Sequence, residues 1–411
     1  MLNKNNINRL FKFNKILLLT IPLSLPFLIF LIIIYPFIKI KVGFLRSDRI
    51  GHFTLNTELY LLEKKKRGIK SLDLFYLGRD PTCNKTLEKL WRKELIILPR
   101  LFLQPLDLQI RLFKFLKFLR CGNTVCDERD VLNLLDQYPA TIKLSDNDLI
   151  KGEKERLKIG LPKKAKFVCL IVRDSAYLEK IYVDPSTKKP KDVSYHNYRD
   201  AEINDFVNAC ETLTKLGYYV IRMGVVVKKP IKTVNKMIID YAYNNLRTDF
   251  MDIYLASQCE FCLTTGTGFD GITLMFRKPN IYVNFVPLFF LRTECSTMLS
   301  IPSYYYSKKL SKNLTISEII NSNSSIVLKT AEFENNDIKI IKNSAEEIEQ
   351  LVIEAVKRLK KEWKDSEGDK LQEKFRKIFS SSKLISPDLY HGEIKGRVGS
   401  DFLKKNRWWL N

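Results

Sequence analysis

The chain has 411 residues, 45% of them hydrophobic, and a formal net charge of +23. That length can bury a sizeable core and predicts two domains of ordinary size. The charge calls for an anionic partner or surface, yet the lysines are spread along the chain and no zinc finger, RNA-recognition signature or basic-helix pattern occurs, which argues against nucleic acid as the partner.

After a basic segment, 1–15, the stretch Ile16–Ile38 carries no charge and is long enough to cross a hydrocarbon core of roughly 30 Å as a helix. It predicts a retained anchor at 16–38, transmembrane or, given Pro22, Pro26 and Pro36, re-entrant. Lysines flank both ends, so charge gives no direction of insertion. A re-entrant form with both flanks on the cytoplasmic face of the inner membrane suits the eight cysteines, none of which demands an oxidising compartment.

Lys41–Leu45 reads as a strand, Arg46–His52 (RSDRIGH) as a polar turn, and Phe53–Glu63 as a helix. Side chains at the carboxyl end of a first strand face the crevice of a doubly wound sheet, so Asp48 and His52 are candidates for acid/base work. Equally, Asp48 caps the helix and His52 packs on it. Leu72–Leu77, a helix around Thr86–Arg92, and Leu95–Leu98 continue a βαβ alternation. In Leu101–Arg120 apolar residues interleave with Arg111, Lys114, Lys117 and Arg120, the pattern of a basic amphipathic helix on a membrane or of a core helix with a solvated edge.

The polar helical run Asp146–Ile159 is expected to connect the domains, with the linker at 146–165. Phe167–Val172 is a buried-strand run that delivers Arg173 and Asp174. A guanidinium fork suits a diphosphate, and the aspartate can orient it or bind a sugar hydroxyl; an ion pair between neighbours is the bland alternative. Glu179–Val193 is expected to form a loop over that site. SYHNYRD then places Arg199 at the start of a helix, Ala201–Leu216, with Asp200 as its N-cap. The strand Tyr218–Ile221 ends in Arg222 and Gly224, a short strand follows at Ile238–Tyr241, and the helix Asp249–Ser257 holds Asp252 in its first turn.

Next come an apolar run, Phe261–Leu263, a turn containing Thr265, Gly266, Thr267 and Gly268, a helix, and the strand Ile281–Phe285. Glycines let the backbone come close to a ligand and the helix-opening N–H groups offer donors to an anion, although such turns also occur for tightness alone and the spacing matches no standard phosphate loop. Cys259 and Cys262 lack a second pair at zinc spacing and read as packing. Helices are expected at Glu346–Trp363 and Leu371–Phe379, within a C-terminal helical extension, 301–411.

RSDRIGH, FVCLIVRDSAY, SYHNYRD, YYVIRMG, DFMDIYLASQCEFCLTTGTG and FRKPNIYVN occur in an order that resembles a bacterial glycosyltransferase family, over roughly Lys41–Pro287. The second half is similar to the donor domain of fucosyltransferase-like enzymes. The resemblance implies an α/β, GT-B architecture, two Rossmann-like domains facing a cleft, here 41–145 for the acceptor and 166–300 for the donor. Arg173 takes the place of an arginine that contacts the nucleotide diphosphate, and the turn at 265–268 that of a donor-phosphate turn. Where those enzymes often carry HxRR, this chain has Ile171, Val172, Arg173 and Asp174. The resemblance further implies a nucleotide-diphosphate sugar as donor substrate and a glycan or lipid-linked acceptor. No DxD motif ends a strand, so neither a metal nor a further cofactor is expected. A nucleotide-sugar epimerase of the same architecture and a non-catalytic, membrane-tethered glycan-binding scaffold are the alternatives.

Overall fold

The computed structural model describes residues 15–181, 183, 189, 191–381 and 390–411. The basic segment up to residue 14 and much of the loop expected over Arg173 lie outside the described residues. The chain divides into two units, Met1–Glu128 and Arg129–Asn411.

The first unit is built on a parallel sheet of β1 (Ile40–Leu45), β2 (Leu72–Leu77) and β3 (Ile96–Ile97), in that order. Helices Ile50–Lys66 and Lys85–Glu94 make the crossovers. Asn84 caps the second through Leu87 N at 2.8 Å, and Trp91, fully buried, donates its indole N–H to Phe53 O at 2.9 Å. The single helix expected over Leu101–Arg120 is two pieces, an α-helix at Arg100–Leu112 and a 3-10 helix at Lys114–Leu119, because Phe113 between them is extended.

The anchor expectation needs correcting. The N-terminal helix runs Lys15–Ile34 and stops ahead of Pro36 instead of reaching Ile38. Among the described residues no helix is long and apolar enough to cross a membrane. Leu28 and Leu31 are buried against Leu103, Leu106 and Ile110, so one face of this helix belongs to the core of the first unit.

The main sheet of the second unit has seven strands among the described residues, every neighbouring pair parallel, in the order β13-β9-β8-β7-β4-β5-β6. They are β4 (Phe167–Ile171), β5 (Tyr219–Arg222), β6 (Ile238–Ile239), β7 (Cys262–Thr264), β8 (Asn280–Phe285), β9 (Leu299–Pro302) and β13 (Arg397–Val398). The inner strands read as unbroken apolar runs because both sheet faces are covered, and all six residues of β8 are buried. From β4 the chain winds outward to β5 and β6, then returns to β7 on the other side of β4. The strand order therefore reverses between β4 and β7, where an open α/β sheet leaves a crevice at its carboxyl edge.

Residues 301–411 are not a purely helical extension. β10 (Tyr304–Ser307), β11 (Lys312–Asn313) and β12 (Ile338–Ile341) form a small antiparallel sheet, and β13 joins the main one. Strands this short carry too little alternation to read from sequence. Helices Ala345–Leu359 and Ser366–Ser380 complete the region, the first opened by a Ser344/Glu347 capping box.

The helix expected as a linker, Asp146–Lys158, lies within the second unit and packs on helix Asp249–Gln258. Gly152 makes the approach possible: a Cβ there would stand 2.0 Å from the Tyr254 ring, whose hydroxyl donates to Glu153 Oε1 at 2.7 Å. Gly152→Ala should therefore lower stability by roughly 1–3 kcal/mol despite the better helix propensity of alanine. An unchanged urea midpoint would show that the two helices do not touch there.

Candidate functional site

The crevice between β4 and β7 is framed by two chain segments that leave the sheet side by side. Thr265, just past β7, donates its backbone N–H to Ile171 O at 3.3 Å, and its hydroxyl accepts from the Arg173 N–H at 2.9 Å. This fixes the first residues beyond both strands relative to each other. The Arg173 side chain is only 14% exposed, with Nε 3.3 Å from Asp200 Oδ1 in an ion pair that lacks hydrogen-bond geometry.

Arg199 ends a 3-10 helix, Ser194–Arg199, and donates from Nη2 to Gly266 O at 2.5 Å. Gly266 has φ of +78°, a left-handed conformation that glycine adopts without strain, and a Cβ would come 3.2 Å from the Phe285 ring. Asp200 is not the expected N-cap. It follows that 3-10 helix directly, and the next helical turns begin only at Ile203, so its carboxylate faces Arg173 instead.

Lys342, which the sequence reading missed, completes the cluster. It directly follows β12 and donates from Nζ to Tyr198 O at 2.5 Å. Its neighbour Asn343 exchanges two 2.6 Å hydrogen bonds with Asn284 of β8, Asn284 N to Asn343 Oδ1 and Asn343 N to Asn284 Oδ1. This pair pins the end of the small sheet to the main one. The available signal was a lysine at a strand end immediately before a capping box, a weak pattern when taken alone.

The electrostatics are one-sided. Burial, and after it Arg199, pushes the Arg173 guanidinium down to about 10. Burial also pushes the Lys342 ammonium down to about 8, with Asp200 opposing the shift and Arg199 and Arg173 adding to it. Burial raises the Asp200 carboxyl even though Arg173 opposes it. Arg173, Arg199 and Lys342 thus disfavour one another's charged forms in a poorly solvated place, which an anion between them would relieve.

The turn at 265–268 works differently from expectation. The Gly266 N–H donates to Thr264 Oγ1 at 3.0 Å, the Thr267 N–H to Asp270 Oδ2 at 3.0 Å, and the Phe269 N–H to Thr267 Oγ1 at 3.3 Å. Small hydroxyl and carboxyl side chains thus hold the backbone donors of Gly266, Thr267 and Phe269. Gly268 sits within this closed turn. Asp270, also missed, is buried, and burial pushes it up to about 6 although Arg292 opposes the shift.

Other expected donor residues have structural work. β5 runs through Arg222, so that side chain enters a sheet face; it is 2% exposed and binds Lys229 O at 2.6 Å and Asp240 Oδ2 at 3.1 Å. Gly224 has φ of +158° and lies beside Val227. Asp252 is buried against Arg247 at 2.7 Å, and burial pushes it up to about 7 against the pull of that arginine. Asp174 accepts from the Ala176 and Lys228 backbone N–H groups, each at 2.9 Å.

In the first unit the RSDRIGH turn is cross-linked to segment 124–128. Arg46 Nη1 pairs with Asp127 at 2.9 Å, and His52 Nδ1 stands 3.3 Å from Glu128 Oε2 and 3.2 Å from Asn56 Oδ1. Asp48 is 45% exposed and caps nothing, since Arg49 occupies the N-cap position. Ligand atoms of His52, Asp127 and Glu128 lie within 4.8 Å of one another, but Asp127 is already held by Arg46.

No family model matches the chain, and no curated protein matches it. Solved structures give only distant likenesses. A glycosyl transferase family 9 protein from Veillonella parvula DSM 2008 is 11% identical with a TM-score of 0.43, over 79% of this chain and 98% of that one. The E. coli ADP-heptose lps heptosyltransferase II is 11% identical with a TM-score of 0.35, over 64% and 90%. The dodecameric iron-containing heptosyltransferase TibC, in complex with ADP-D-beta-D-heptose, is 10% identical with a TM-score of 0.36, over 78% of each chain. The fucosyltransferase likeness expected from the sequence is not among these three.

Proposed function

We propose that the second unit binds the diphosphate of a nucleotide sugar and that the chain is a glycosyltransferase acting on a glycan or lipid-linked acceptor. The observation that carries this reading is the clustering of Arg173, Arg199 and Lys342, the first and last beside the Asp200 carboxylate, where the strand order reverses. Breaking a glycosidic bond to a nucleotide diphosphate builds negative charge on the leaving oxygen. Preorganised cations in a poorly solvated crevice stabilise that charge as it develops. The donor is a substrate, and the reading invokes no resident metal or cofactor.

The experiment is thermal stabilisation by a panel of nucleoside diphosphates and nucleotide sugars. One preferred nucleotide, with a midpoint that climbs as its concentration rises, supports the reading. No stabilisation of a demonstrably folded protein by any of them removes it. Acceptor-dependent release of nucleoside diphosphate then separates transfer from epimerisation. For the acid/base work His52 and Asp48 stay the candidates. His52→Ala or Asp48→Asn should lower turnover by about a hundredfold with donor affinity unchanged. Unchanged turnover in both would assign the base elsewhere.

A further inference from the structure

We propose that the first unit is seated in the surface of an anionic lipid membrane, with helix Lys15–Ile34 and the segment around Arg100–Leu119 forming one lipid-facing surface. The inner faces of these two elements are already satisfied: Leu28 and Leu31 pack on Leu103, Leu106, Ile110, Leu116 and Leu119. Their outer faces are not. Leu23 is 77% exposed, Phe102 69% and Phe115 72%, and Phe37, in the turn just past the first helix, is 84% exposed. Large apolar side chains left exposed in such number on two elements that pack together mark an interaction surface.

The two elements are also tied by polar contacts suited to an apolar setting. Gln109 Nε2 donates to Ser24 Oγ at 2.9 Å and to Ile21 O, and Ser24 Oγ donates to Ile21 O at 2.8 Å. These bonds lie beside Pro22 and Pro26, where the helix has lost backbone donors.

Charge identifies the occupant. Between residues 15 and 45 there is no acidic residue, and between 96 and 120 the only one is Asp107, which is buried and paired with Arg111 at 2.7 Å. Lys39, Arg100, Lys114 and Lys117 are exposed around the apolar side chains. A second copy of this surface would bring like charges together, whereas anionic headgroups complement it. Lysines 114 and 117 alternate with Phe113, Phe115 and Phe118, the composition of an interfacial element. This inference stands apart from the donor-site reading, since vesicle binding is scored without any nucleotide.

The test uses the full chain with phosphatidylcholine vesicles, with and without phosphatidylglycerol. Phe115→Trp, a conservative change at an exposed site, should give added fluorescence that brominated lipid quenches. Lys114→Gln with Lys117→Gln should lower partition into phosphatidylglycerol vesicles by roughly tenfold or more, with little effect on neutral ones. Unquenched fluorescence from Phe115→Trp in vesicle-bound protein would overturn the proposal. Equal partition of parent and double variant into both lipids would do so too. A lipid-independent dimer that shields the new tryptophan would give the surface to a second copy instead.

Discussion

Arg173→Gln should lower the affinity for a nucleoside diphosphate by about 3 kcal/mol, roughly a hundredfold, because the proposed desolvated, charge-assisted contact to phosphate is lost and Asp200 loses its ion-pair partner at 3.3 Å. The adjacent Lys342 adds a pH dependence that a purely structural lysine would not. Its ammonium titrates near 8 in the free site. Diphosphate affinity in the parent should therefore fall as pH rises from about 7 to about 9. In Lys342→Met it should be weaker at pH 7 and flat across that window.

The free protein supplies an independent readout of opposite sign. Lys342 has its ordinary value of 10.5 when unfolded and about 8 when folded, so between these values the unfolded chain binds more protons. Unligated stability attributable to this residue thus rises as pH increases from about 8 to 10.5, opposite in sign to the fall in ligand affinity. Isothermal titration and urea unfolding, each at three pH values, measure the two slopes. A lysine whose removal changes neither slope does not belong to the site.

What the sequence made legible was whatever rests on local pattern. Strand-helix alternation located β1, β2, β4, β5, β7 and β8 to within about two residues, since buried parallel strands read as apolar runs with breaks between them. Arg173 and the turn after β7 could be singled out because each directly follows such a run. The remaining cluster depends on long-range assembly. Lys342 reaches the crevice only because Asn343 and Asn284 lock two sheets together, and nothing near position 342 announces that pair.

Arg222 shows the reverse case. The same strand-end logic that selects Arg173 also selects Arg222, but β5 includes it and buries it on Asp240. One residue of register decides whether a strand-end arginine faces the crevice or the sheet. Asp200 fails for a related reason, since an aspartate ahead of a helical run caps it only when the helix begins at once.

The other large effect lies at a buried charge cluster. Glu294→Gln should destabilise the second unit by about 3–5 kcal/mol. Glu294 is 4% exposed; Oε1 lies 2.6 Å from Arg292 Nη1, Oε2 accepts from the Thr293 N–H at 2.7 Å, and Arg129 Nη2 is 3.9 Å away. Burial would raise this carboxyl, but Arg129 and Arg292 outweigh burial and hold it at about 2. Neutralising it removes the carboxylate that the buried Arg129 and Arg292 guanidiniums share. Beside them His391 accepts at Nδ1 from the Thr293 hydroxyl at 2.9 Å, so its proton sits on Nε2 and is donated to Phe289 O at 2.6 Å. Burial, reinforced by Arg129, pushes His391 down to about 3.

The two groups act in the same direction on acidification. His391 is protonated in the unfolded chain below about 6.5 while the folded form resists until about 3. Glu294 is protonated in the unfolded chain below about 4.5 and in the folded one only near 2. Each contributes stability that is present at neutral pH and lost as pH falls, first from the histidine and then from the glutamate. Parent stability should thus decline from pH 6.5 downward and more steeply below 4.5, and Glu294→Gln should start lower and lack the second decline. Urea unfolding at pH 7, 5 and 3.5 checks this. Parallel curves for the two proteins below pH 4.5 would mean that Glu294 is not held ionised by its arginines.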